Sequence, residues 1–138
     1  MQDIQDSSLT DEDLAHLERD TFKYFADEVN LENGLVRDST RQGSFSSIAA
    51  VGFALTAYPI AVERKYMPRA EAVKRTLTTL RFFHDAPHGE QRDATGYKGF
   101  YYHFLDMETG RRAGNCELST IDTTYLLAGA LAAALLQR

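Results

Sequence analysis

Two carboxylates, Glu117 and Asp122, stand at the mouth of an apolar stretch, where a charge is costly unless it has a partner or a task. A pair of carboxylates flanking a scissile bond is what acid/base hydrolysis of a glycoside requires. Along an ideal helix their five-residue spacing corresponds to roughly 140° of rotation. They therefore converge only if Glu117 precedes the regular turns. Ser119 and Asp122 also have the Ser-x-x-Asp spacing of a capping-box variant, which makes Asp122 equally good as a helix-start acid. Glu117 has no comparable local role.

Just upstream lies an aromatic run, Lys98-Gly-Phe-Tyr-Tyr-His-Phe-Leu-Asp106. In an extended backbone Tyr101 and His103 share one face, and Lys98, Phe100, Tyr102, Phe104 and Asp106 share the other. Tyrosines beside charges suit stacking on sugar rings and recognition of hydroxyls. The same residues equally suit half-buried strand packing. Arg37 and Asp38, after Gly34-Leu-Val36, fall in a long loop and are candidates for the same cavity or for a surface ion pair. His84 and His88 have a metal-binding i,i+4 spacing, but Pro87 ends the helix between them, so no zinc site is expected. Cys116 lacks a nucleophile–base signature and reads as a small buried thiol. There is no Gly-rich phosphate loop and no Ser-x-x-Lys arrangement.

The composition bounds what these residues can serve. With 138 residues, 43% hydrophobic and 25% charged, the chain is globular and of single-domain size. Its 15 basic and 20 acidic residues leave a net charge of −5, which argues against nucleic acid or an anionic membrane as the main partner. A single cysteine excludes an internal disulfide. Residues 1–13 are polar and acidic, with no signal-peptide pattern. The apolar run from Tyr125 to Leu136 is shorter than the ~18–20 residues of a membrane span. These features fit a cytoplasmic protein or the mature form of a periplasmic one.

Four helices must position the candidate residues. The first starts at Thr10, with Asp13 completing a capping box, and carries Leu14, Leu17, Phe22, Phe25 and Val29 on one side until about Asn30. The second, from about Ser47 to Glu63, has no charged face and should be buried all round, with Pro59 loosening its last turn. The third begins at Pro68 and is amphipathic through Ala72, Val73, Leu77, Leu80 and Phe83. The fourth begins near Ser119 and, like the second, has no polar side. Between the third and fourth, Asp85 to Leu118 reads as a β-hairpin or extended excursion, with a turn at Asp106 to Gly110.

The alternation of amphipathic and apolar helices describes two layers, an outer ring wet on one side and an inner ring dry on every side. The long links, Asn30 to Ser46 and Asp85 to Leu118, both run from an outer to an inner helix and mark the site-bearing end. A closed ring of twelve such helices needs roughly 180 residues or more. The chain is therefore expected to be a polar tail (1–9) followed by an incomplete domain (10–138). The competing reading is an independent four-helix module that self-associates through its second and fourth helices.

Six blocks in order resemble the bacterial glycoamylase-like family, which includes endo-β-1,2-glucanases and a C-terminal domain of cyclic β-1,2-glucan synthases. They are Thr21-Phe-x-Tyr-Phe25, Asn33-Gly-Leu-Val-Arg-Asp38, Ser47-Ile-Ala-Ala-Val-Gly-Phe53, Thr78-Thr-Leu-Arg-Phe82, the run from Gly96 to Asp106, and Glu117-Leu-Ser-Thr-Ile-Asp-Thr123. The similarity spans Leu14 to Leu136. The resemblance implies an all-α fold, the N-terminal fragment of an (α/α)6 barrel with about four helices and a β-hairpin excursion. It implies hydrolysis of β-1,2-glucan, with inversion, in a cleft lined by Tyr102, His103, Glu117 and Asp122. Glu117 or Asp122 would be the acid/base or substrate-orienting carboxylate, with Lys98, Arg37 and Asp38 as further candidate substrate contacts. That chemistry needs no metal or organic cofactor; the partners would be a β-glucan and the rest of the barrel. A fragment alone is expected to be inactive. The alternative within the same resemblance is a non-catalytic domain that binds glucan or controls its chain length.

Overall fold

Thr10 begins the first helix as its residue type predicts. Helix α1 (Asp11–Asp27) opens with a reciprocal capping box: Thr10 Oγ1 accepts the Asp13 N–H at 3.2 Å, and the Asp13 carboxylate accepts the Thr10 N–H at 2.9 Å. The helix stops short of Asn30 because the chain there pairs differently. Val29 bridges Val36, and the Asn30 N–H donates to the Leu35 carbonyl at 2.8 Å. Gly34, at φ 78°, makes the turn, and any Cβ there would overlap Thr79. The computed structural model describes residues 9–137, so the expected polar tail lies outside the described residues except for the exposed Leu9.

After β1 (Ser46–Ser47) come α2 (Ile48–Glu63), which runs on through Pro59, and α3 (Arg69–Asp85), preceded by Pro68. Four short strands follow: β2 (Gly96–Tyr97), β3 (Phe100–Tyr102), β4 (Phe104–Leu105) and β5 (Leu118–Ser119). Helix α4 (Thr120–Ala133) then leads into a 3₁₀ turn, Ala134–Gln137. The architecture is mainly helical with two small antiparallel sheets, β1-β4 and β2-β3-β5. The expected hairpin is present, its tip formed by Lys98 (φ 49°) and Gly99 (φ 86°), which match the right-handed twist of the strands. The turn expected at Asp106 to Gly110 also forms. Its Asp106 carboxylate accepts the N–H groups of Thr109 (2.8 Å) and Glu108 (3.1 Å).

Helices α2 and α4 cross backbone to backbone. A Cβ on Gly52 would overlap the Tyr125 carbonyl, and one on Gly129 would overlap the Gly52 carbonyl, so both positions require glycine. Leu35, Val36, Ile48, Val51, Leu55, Tyr58 and Leu105 are completely or almost completely buried, which puts the core around α2 and its N-terminal end.

Helices α2 and α4 are apolar all round, but within the described residues only part of that surface is covered, as too few amphipathic neighbours would leave it. Each is dry on one face only. Phe53 and Ile60 of α2 are exposed, as are Ile121, Leu127, Leu131 (78%) and Leu135 on α4 and its extension. Four helices offer too little surface to jacket two apolar rods. The amphipathic helices are also incompletely covered: α1 buries no residue fully, and Leu14, Leu17, Ile60 and Tyr66 border an open groove of about 500 Å³. The expected shortness of the last apolar run is corrected. With its 3₁₀ extension, Thr120–Gln137 reaches 18 residues, long and apolar enough by length and composition to cross a membrane. The same test is passed by core helices of proteins that cross none.

Candidate functional site

The predicted extended run does not stay extended. It bends at His103, which passes the chain from the β2-β3-β5 sheet to the β1-β4 sheet. Backbone bonds hold the bend from both sides: the His103 N–H donates to the Glu117 carbonyl at 3.0 Å, and the His103 carbonyl accepts the Ile48 N–H at 3.2 Å. The N-terminal end of α2 is thereby tied to the segment leading into α4. Cys116 contributes a second clasp, its Sγ accepting the Phe104 N–H at 3.2 Å and donating to the Phe104 carbonyl at 3.3 Å. The thiol is half-buried and hydrogen-bonded, a more specific role than the small apolar filler expected of it.

Because of the bend, Tyr101 and His103 do not share a face as the uniform strand pattern predicts. Tyr101 turns to α3, donating its hydroxyl to the Phe83 carbonyl at 3.0 Å and meeting the Phe83 and His88 rings edge-on. His103 turns to the two carboxylates. Its Nδ1 lies 2.7 Å from Glu117 Oε1, and its Nε2 lies 3.8 Å from Asp122 Oδ2. Glu117 precedes β5 and sits outside the helical turns, the condition under which the sequence allowed it to approach Asp122. Asp122 is also the helix-start acid anticipated from spacing. Ser119 Oγ accepts the Asp122 N–H at 3.1 Å and donates to the Asp122 carboxylate at 2.5 Å.

The hydrogen bonds decide the charge on Glu117. Its own backbone N–H, followed by the His103 ring, holds the carboxyl below its usual range. Glu117 is therefore a carboxylate near neutral pH, and the shared proton resides on His103 Nδ1. That leaves Nε2 facing Asp122 across a gap longer than a hydrogen bond. The side chains of His103 and Asp122 are 28% and 15% exposed and that of Glu117 is 65% exposed, so the cluster opens on a surface. None of the three borders the open groove beside Leu14 or the depressions beside Arg37 and Asp38.

One ligand atom from each of the three residues lies within 4.8 Å of the others. The arrangement fits a metal poorly. Glu117 and Asp122 address opposite nitrogens of one imidazole, and atoms sharing a cation with bonds of ~2.0–2.2 Å would have to draw much closer together.

The remaining candidates are placed apart from this cluster. Tyr102 has the Arg112 guanidinium 4.3 Å over its ring, so one of its faces is already covered. That Arg112 also holds the Cys116 carbonyl through Nε at 2.8 Å, a contact from which no spacing rule could have found it. Lys98 is exposed at the hairpin tip, 5.1 Å over the Tyr97 ring. Arg37 pairs with Glu28 at 3.4 Å, whereas Asp38, next in an extended stretch, borders a different depression. His84 bonds Asp85 at 2.9 Å while the His88 ring packs on Tyr101, so the two histidines do not form a joint site.

No family model matches the sequence, and no curated protein matches it. Solved structures do. A candidate glucoamylase from Bacteroides uniformis ATCC 8492 superposes on 96% of this chain with a TM-score of 0.72 at 20% identity. A β-1,2-glucanase from Parabacteroides distasonis covers 88% of the chain at a TM-score of 0.72 and 24% identity. An endo-β-1,2-glucanase from Chitinophaga pinensis, solved with sophorotriose and glucose, covers 94% at a TM-score of 0.68 and 18% identity. This chain has the fold of the part of each that it matches. It spans 36%, 17% and 36% of their respective lengths. Of the fold implied by the resemblance, the four helices and the hairpin excursion are found, with two small sheets that an all-α description leaves out; the bare faces of α2 and α4 lie within the part shared with these structures.

Proposed function

We propose that the chain is the N-terminal part of an (α/α)6-barrel glycoside hydrolase of the glycoamylase-like family, acting on β-1,2-glucan. The observation that carries this reading is the convergence of Glu117, His103 and Asp122 at the start of α4, on a fold shared with two β-1,2-glucanases. The exposed apolar faces of α2 and α4 support the barrel, since later helix pairs would cover them.

Glu117 and Asp122 do not form the acid/base pair between themselves. Inverting enzymes hold their carboxyl groups ~6.5–9.5 Å apart to admit sugar and water, and the nearest oxygens here lie within 4.8 Å. One member of this cluster faces the scissile bond, and the opposing carboxylate comes from the remainder of the barrel. Glu117, held ionised, suits a base or orienting role; a general acid must carry a proton. Hydrolysis then proceeds by acid/base chemistry with inversion.

The test is shortening of β-1,2-glucan by a full-length form, beside Glu117→Gln and Asp122→Asn. Loss of a reacting carboxylate is expected to lower turnover by about 10²–10⁴-fold. Unchanged turnover in both variants removes the cluster from the mechanism. A second reading, a non-catalytic domain that binds glucan or sets its chain length, is favoured by the same short separation. It predicts glucan binding with no new reducing ends.

A further inference from the structure

Beside the His103 bend lies a depression of about 320 Å³ that the cluster does not use. Phe45 and Phe104 border it together with Asp38, Arg41 and Ser44. We infer that this depression is a glucosyl-binding subsite, with Phe45 as its stacking platform. The inference rests on the carbohydrate reading above and locates a second point of contact for the same polymer.

Three observations carry it. The first is rigidity. The Asp38 N–H donates to the Phe45 carbonyl at 2.8 Å, closing the loop at its stem, and Ser44 Oγ accepts the Ser39 N–H at 3.1 Å inside it. Phe45 is therefore held by its backbone while the residue stays 43% exposed, an arrangement that a packing residue does not need. The second is chemistry. Among the described residues neither the Asp38 carboxylate nor the Arg41 guanidinium makes a hydrogen bond or ion pair, so both are available to hydroxyl groups beside two aromatic rings. A pyranose presents that combination, an apolar face rimmed by hydroxyls. Its size also fits, since ligand pockets begin near ~300 Å³ and this one has room for a single sugar ring.

The third is continuity. Phe104, one wall of the depression, stacks on the His103 ring at 3.9 Å and 14°. A glucan chain seated on Phe45 thus has its next units directed along Phe104 to the carboxylate-clamped histidine.

The experiment is calorimetric titration of the 138-residue chain and of a full-length form with sophorose and longer β-1,2-gluco-oligosaccharides. Phe45→Leu keeps an apolar side chain but removes the flat ring, and Phe45→Trp restores one. Phe45→Leu and Asp38→Asn are expected to weaken binding at least about tenfold, and Phe45→Trp to stay within about threefold of the wild type. Retained affinity in Phe45→Leu overturns the subsite, and if the full-length form still cleaves glucan, the proposed function survives that result. A lower Tm in Phe45→Leu with unchanged affinity identifies Phe45 as a packing residue and also overturns it. Failure of the wild type to bind in either form overturns the subsite, while cleavage by the full-length form separately decides the hydrolase reading.

Discussion

The two ends of the molecule are stabilised in opposite ways. At the helical end, α2 and α4 touch through Gly52 and Gly129 and present their other faces bare, with Leu131 almost free of protein contact. At the loop end, the segments between helices are clasped by their own hydrogen bonds: Asn30 to Leu35, Asp38 to Phe45, His103 to Glu117 and to Ile48, and Asp106 to its turn. The helical end leaves apolar surface without cover. The loop end carries its geometry within itself, so the candidate site can be pre-shaped while those helix faces stay bare.

The difference can be broken at its strongest point first. Gly129→Val has nowhere to put its side chain, because both backbones would have to separate. It is expected to cost more than about 4 kcal/mol and to abolish cooperative urea unfolding. Leu105→Ala strikes the loop end, where the side chain is completely buried. About 3 kcal/mol is expected in the same measurement, and a much smaller loss would show that this end has no core of its own.

Ser119→Ala removes the α4 cap and is expected to cost about 1 kcal/mol by denaturant midpoint, while freeing Asp122 to turn. At the other extreme, Leu131→Lys is expected to stay within about 0.5 kcal/mol in this chain, because the position is already in water. In a longer form that covers α4 the same substitution should be strongly destabilising. Equal effects in the two forms would contradict cover of that face in the longer form.

Acid provides a finer probe of the loop end. Hydrogen bonds from its own N–H and from His103 depress the Glu117 carboxyl, and the Thr109 N–H does most to depress Asp106. A depressed carboxyl contributes stability that is fully present above its unfolded pKa and is lost as pH falls through the lower folded value. Stability should therefore decline as pH falls through the ordinary carboxylate range and below it. Glu117→Gln should lower stability at neutral pH and change little in acid, which flattens part of that decline; an unaltered profile would mean that the contact to His103 is not formed in solution.

Much of this molecule is local and hence readable. The Thr10 and Ser119 caps, the start of α3 behind Pro68, the Asp106 turn and the apolar character of α2 and α4 follow from side chains acting on backbone within a few residues. The requirement that Glu117 stand outside the helical turns was legible too. The bend at His103 was not, because the groups that make it come from Ile48, Cys116 and Glu117, far away along the chain. For the same reason strand alternation placed Tyr101 with His103, and an aromatic face was expected at Tyr102 where Arg112 lies.

By itself, the order of residues determined where helices begin, which two are apolar throughout and which acids stand at the head of α4, since propensity, capping and periodicity act over one or two turns. Only the tertiary structure decided which faces of those helices remain bare, and that one imidazole collects two carboxylates. Both are outcomes of long-range packing and backbone pairing, in which each residue's surroundings are set by partners that no local rule specifies.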